Sequence, residues 1–222
     1  MKYFQTISIF FVLGMIPFQM LEATDNIIKT GNIAINKQTK IITIQTRLAI
    51  EKGILEYLLV GDHGKTYESL LKVADNKPSD LNFALLLIGC EPIDYQTFIK
   101  IKNQKNAIDI LKKNYPNSLL NVSIIYKNRT IDLNKLINNR ETKKNSFYWV
   151  YTGGYFLKDN RYAGDLELSY IGIWSDRSAV INLCSDLKNP YQGNFGYETH
   201  IQDGVFNVND VLELVIKHNN TQ

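Results

Sequence analysis

Lys65, Glu68 and Ser69 lie close together in the stretch Gly61-Asp62-His63-Gly64-Lys65-Thr66-Tyr67-Glu68-Ser69. An ammonium, a carboxylate and a hydroxyl at such spacing suit acid–base or nucleophilic chemistry. A cofactor-free or metal-assisted hydrolase would draw on these three and His63. The nucleophile signal is weak, because Tyr67-Glu68-Ser69-Leu70-Leu71 lacks the glycines of the Gly-x-Ser-x-Gly elbow. Asp62, His63 and Glu68 form a second set, since imidazole plus carboxylate is a common donor combination for zinc and other divalent ions. No helical His-Glu-x-x-His pair accompanies them, and His200 and His218 are the other histidines. A turn with solvated polar side chains accounts for the same residues. Gly64-Lys65-Thr66 matches the end of a phosphate-binding loop, but Leu59 stands where the first glycine belongs, which argues against a nucleotide site.

Tyr148-Trp149-Val150-Tyr151 is the other group with recognition chemistry. Tyr and Trp are enriched at binding surfaces, so Trp149 and Tyr151 could line a groove. Alternation puts Tyr148 and Val150 on one face of a strand and Trp149 and Tyr151 on the other, which suits core packing equally. Cys90 and Cys184 could pair in an oxidising compartment, although their spacing says nothing about proximity. Two thiols cannot make a four-thiolate iron–sulfur or zinc site within one chain.

The elements that must position these residues are readable in outline. Residues 32–36 and 40–45 are isoleucine-rich and alternate around a polar turn, as an opening hairpin does. Residues 54–60 form a nearly all-apolar central strand, interrupted by Glu56, whose carboxylate needs a partner or a route to water. Pro78, an N-cap in Ser79 and an acidic first turn at Asp80 start a short helix over residues 81–88. It is apolar almost all round and therefore buried. A further helix is expected over residues 106–113, strands over 119–127, 146–154, 166–174 and 211–217, and a short helix or turn over 130–138. Residues 140–145 read as a polar loop. Strands outnumber helices without a βαβ rhythm, so the fold expected is α+β, a predominantly antiparallel sheet with two or three short helices.

The first 23 residues carry Lys2, then an apolar run over residues 7–18, then a polar patch ending at Ala23. This is a secretory signal pattern, too short to span a bilayer, followed by a single domain over residues 24–222 that contains no transmembrane span. Leu21 is larger than the small residue preferred near such a cleavage site. The formal net charge of +3 and the dispersed lysines, without aromatic interleaving, exclude a nucleic-acid-binding surface.

The order of these features resembles the YdjY-domain family of exported bacterial proteins. The shared segments are Leu55-Glu56-Tyr57-Leu58, Gly64-Lys65-Thr66-Tyr67-Glu68-Ser69-Leu70-Leu71, the apolar helix, Trp149-Val150-Tyr151-Thr152-Gly153 and Ile171-Gly172-Ile173. The likeness runs from about Ile33 to the C-terminal strand. The family's segment usually has histidine where this chain has Tyr67, so an acid–base or metal role here would fall to His63. The resemblance implies no activity. The glycine-framed polar segment between two very apolar elements, with the aromatic strand, suggests an exported module, without cofactor, that binds an envelope protein or small ligand through Lys65, Glu68, Ser69, Trp149 and Tyr151. The alternatives are the hydrolase and a structural envelope module in which Glu68 caps backbone amides.

Overall fold

The computed structural model describes residues 26–142, 146–185, 188–202 and 204–219. The signal-like segment and part of the polar loop, residues 143–145, lie outside the described residues. Strands β1 (Ile27–Thr30), β2 (Ile33–Asn36) and β3 (Ile41–Leu48) pair in antiparallel succession. The expected hairpin is β2–β3, with Ile33, Ile35, Ile42 and Ile44 all buried on its inner face. The expected strand over residues 54–60 is split into β4 (Ile54–Leu55) and β5 (Tyr57–Gly61), and the polar segment runs into β6 (Ser69–Val73).

Helices α1 (Pro78–Leu87), α2 (Tyr95–Lys102) and α3 (Ala107–Asn114) follow, then β7 (Leu119–Tyr126), β8 (Arg129–Ile131), β9 (Ile137–Asn139) and β10 (Trp149–Tyr151). Helix α4 (Ala163–Glu167) precedes β11 (Ser169–Gly172), β12 (Ile181–Leu183), β13 (Tyr197–Thr199) and β14 (Val211–His218).

The main sheet closes on itself. Its strands run β3-β14-β7-β10-β12-β11-β5-β6, and β6 returns to β3 through the partners Arg47 and Lys72, and Leu48 and Leu71. Closure removes the free edges of these strands. Inside lie Leu59, Leu71, Trp149, Tyr151, Ile171, Ile181 and Leu214, among others. A small second sheet joins β4, β13 and β9.

This α+β barrel corrects several expectations. The sheet is mixed, because β5–β6 and β11–β12 are parallel pairs. Four short helices occur among the described residues, and α4 takes residues expected to begin a strand. Helix α1 is buried on one side only: Leu81, Ala84 and Leu85 are inside, whereas Phe83 and Leu86 are 55% and 50% exposed. Its N-cap is Lys77, whose amide bonds Asp80 Oδ2 at 2.9 Å, while Ser79 Oγ donates to Asp165 Oδ2 at 2.8 Å. An all-round apolar sequence cannot show which side the barrel covers. Among the described residues, no helix is long and apolar enough to cross a membrane.

Candidate functional site

Parallel strands usually need a crossover of a dozen or more residues. Here residues 62–68 return the chain from the end of β5 to β6, and residues 173–180 do the same between β11 and β12. Tyr57 is level with Ser69 on one side and with Gly172 on the other. The end of the first crossover and the start of the second therefore meet beside Tyr57.

Tight glycine turns make the first crossover compact. Gly61 donates to Leu168 O at 2.9 Å, and Gly64 donates to Gly61 O at 2.9 Å. A Cβ at Gly61 would lie 3.0 Å from Leu168 Cβ, and one at Gly64 would lie 3.1 Å from it. The glycine frame thus admits Leu168 rather than a phosphate. A 3-10 turn over Thr66–Glu68 then brings residues three apart to the same side, leaving Lys65 Nζ 3.6 Å from Glu68 Oε1.

Glu56 sits where the chain passes from the small sheet into the barrel. Its amide donates to Glu68 O at 2.9 Å, and its carbonyl accepts from Ile173 and Trp174 at 2.8 and 3.0 Å. This pairing of the backbones brings the two carboxyl groups together, with Glu56 and Glu68 only 8% and 6% exposed. Burial, then the charge of Glu68 and a hydrogen bond with its carboxyl, push the Glu56 carboxyl up to about 7. Lys65 and Tyr191 act in the opposite direction. Tyr191 Oη donates to Glu68 Oε2 at 2.6 Å.

On its outer side, Lys65 Nζ lies 5.5 Å from the centroid of the Tyr57 ring. Lys65, Tyr57, Tyr155, Glu167, Asp176, Arg177 and Ser178 line an open cleft of about 240 Å³. Arg177 stacks 4.3 Å from the Tyr155 ring centroid. Asp176 Oδ2 accepts from Tyr57 Oη at 3.0 Å, and Oδ1 accepts from the amide and hydroxyl of Ser178 at 2.8 and 2.7 Å. Behind it, the wholly buried Asn182 accepts from Asp176 N at 2.8 Å and donates to Asp176 O at 2.9 Å and Thr152 Oγ1 at 2.8 Å.

The candidates from the sequence separate accordingly. Lys65 and Glu68 belong to one cluster. Ser69 is turned inward on β6, wholly buried, with Oγ donating to Leu71 O at 2.7 Å. The His63 side chain is 89% exposed and only loosely approaches Asp62, at 3.7 Å, while Tyr67 faces solvent. Among the described residues, no three His, Cys, Asp or Glu side chains are grouped to hold a metal ion. Trp149 and Tyr151 are in the barrel core, 1% and 0% exposed, and form no groove. Cys90 and Cys184 form no disulfide with each other and are buried in separate hydrophobic clusters. Glu68 turns to side chains, Tyr191 and Lys65, and among the described residues it caps no backbone amide.

Sequence reasoning did not find Glu56 as a site residue, although a carboxylate inside an apolar strand was the available signal. Asp176 and Arg177 left none, because only the folded crossovers bring them to Lys65, and Tyr191 reaches Glu68 from a loop distant in the chain.

A mixed barrel with a carboxyl pair at its two crossovers is the class of protein that this geometry defines. The YdjY domain matches residues 33–184, more than half of the chain, and the chain belongs to that family. The match ends before β14, which nevertheless completes the barrel between β3 and β7. No curated protein and no solved structure gives a match.

Proposed function

We propose that this YdjY-domain protein is an exported, non-enzymatic binding module of the cell envelope, and that it takes a small anionic ligand in the cleft between Lys65 and Arg177. The export part rests on the signal-like N-terminus. One observation carries the binding part: two cations from distant parts of the chain converge on one concave surface whose floor, Asp176, is already held by three hydrogen bonds to its carboxylate. Such a floor is held in place before any ligand arrives, which lowers the ordering cost of binding. The arrangement suits a carboxylate or phosphate, which Arg177 can grip through two N–H groups while Lys65 adds a point charge. Titration with small carboxylates and inorganic phosphate, followed by amide chemical shifts, tests this. Saturable shifts around Lys65 and Arg177, weakened about tenfold or more in Lys65→Ala and in Arg177→Ala, are expected. Shifts that are absent, or equal in the variants, refute it.

A second reading, acid–base hydrolysis, is favoured by the Glu56–Glu68 pair, because two adjoining carboxyls that hold one proton near neutral pH can both donate and accept. Its residues would be Glu56, Glu68 and Lys65, with Ser69 and His63 excluded by their orientation. Hydrolysis of model ester or glycoside substrates that is lost in Glu56→Gln would establish this reading over simple binding.

A further inference from the structure

The main sheet forks at the middle of β3. Strand β2 pairs with β3 up to Ile44, and β6 joins it only from Arg47 onward. Between the prongs is a cavity of about 290 Å³, at the small end of the range for small-molecule sites. The prongs are tied again at their outer end. Asn32 Nδ2 donates to Ala74 O at 2.7 Å, Asn32 N to Asn76 Oδ1 at 2.7 Å, and Asn76 Nδ2 to Thr30 O at 3.0 Å. At Gly31, where φ is +54°, a Cβ would lie 2.7 Å from Asn76 Oδ1, so the hairpin tip fits this tie only with glycine. The fork is thus a window of fixed width with a polar frame.

Four charges line the window: Arg47, Lys72, Asp62 and Asp75. Arg47 and Lys72 are direct cross-strand partners, an arrangement of like charges that costs stability. Asp62 lies on the opposite flank of β6, its amide bonded to Val73 O at 2.9 Å. Oppositely charged groups that served only the fold would be expected to pair across the cavity. Among the described residues, no ion pair joins either cation to either acid; Arg47 instead gives a guanidinium N–H to Asn209 O at 3.0 Å. Arg47 and Lys72 thus meet across the β3–β6 pairing, Asp62 hangs from the other edge of β6, and Asp75 follows the end of that strand, all four around one open space.

We propose that this window is a binding site, separate from the Lys65 cleft, for a small zwitterion whose carboxylate meets Arg47 and Lys72 while its ammonium meets Asp62 and Asp75. A free amino acid or a short peptide has that chemistry. Such a ligand would relieve the Arg47–Lys72 repulsion, and the neutral amides of Asn32 and Gln45 would accept or donate to its remaining polar atoms.

The test is a titration of the full protein with glycine, diglycine, acetate and methylammonium, followed by amide shifts. Glycine or diglycine should produce saturable shifts at Gln45–Arg47 and Lys72–Asp75, at least about tenfold tighter than acetate or methylammonium. Arg47→Gln/Lys72→Gln should abolish the saturation, as should Asp62→Asn/Asp75→Asn. Asparagine is compatible with the left-handed backbone of position 75, where φ is 57°, and all four side chains are at the surface, so a retained melting transition is expected in both variants. Acetate binding as tightly as diglycine would overturn the zwitterion in favour of a plain anion. No saturable shift with either zwitterion, or the same shift in the variants, would overturn the site.

Discussion

Tyr191 Oη donates a hydrogen bond to Glu68 Oε2 at 2.6 Å, pinning a long loop to the buried end of the first crossover. Glu68 thereby links Tyr191 to Lys65, which approaches its other oxygen at 3.6 Å. Truncating Glu68 leaves both partners and Glu56 without it, so Glu68→Ala should lower stability by about 1–3 kcal/mol. Tyr191 is 56% exposed, and Tyr191→Phe should cost about 1 kcal/mol or less. Urea denaturation of the two single variants and the double variant gives the coupling between them, expected at about 0.5–1 kcal/mol. An unchanged midpoint in Glu68→Ala would remove the carboxylate from the fold's support.

The same pair makes stability depend on pH. The Glu56 carboxyl is pushed up to about 7 from an ordinary 4.5, so between these values the folded protein keeps a proton that the unfolded chain has released. Its contribution is therefore fully present below about pH 4.5 and is lost as pH rises through 7, by up to about 3 kcal/mol. Glu56→Gln, neutral at every pH, should flatten this fall. The quantity to compare is the difference in denaturation midpoint between pH 5 and pH 8 in the two proteins. Equal differences would contradict a shared proton.

Burial also governs the thiols. The Cys90 thiol is pushed up to about 12, chiefly by desolvation, and Cys184 lies in the other cluster, under α2 and α3. Neither should react with a thiol reagent in the folded protein, and both should react in denaturant. A reductant should leave the melting temperature unchanged. Loss of melting temperature on reduction would reveal a disulfide.

What the sequence made legible was local. The isoleucine alternation of β2 and β3, the breaker and acidic first turn before α1, and the apolar β14 all lie where periodicity placed them. The family segment also holds Lys65 and Glu68, which the fold sets 3.6 Å apart beside Tyr191. The barrel's closure depended on partners such as Arg47 and Lys72, or Val150 and Asn182, whose separation leaves no pattern along the chain. Short parallel crossovers were equally hidden, because a compact turn and a returning crossover use the same glycines. Ser69 shows the limit from the other side: its hydroxyl reads as chemistry in a polar segment and proves to satisfy a carbonyl inside β6.

That distinction can be measured at two buried positions. Asn182→Leu leaves the amide and carbonyl of Asp176 and the hydroxyl of Thr152 without their partner, and should cost about 2–3 kcal/mol. If Asn182 also fixes the cleft floor, anion titration at Lys65 and Arg177 should weaken about tenfold in the fraction that remains folded, since loosening Asp176 restores an ordering cost to binding. Ser69→Ala serves as the control: its lost hydrogen bond should cost about 1 kcal/mol and leave the titration unchanged. Calorimetric melting and amide titration of both variants separate the outcomes. Equal weakening in both would mean that general destabilisation, and not the position of Asp176, controls the cleft. Weakening in Asn182→Leu alone would assign the floor's rigidity to this one amide.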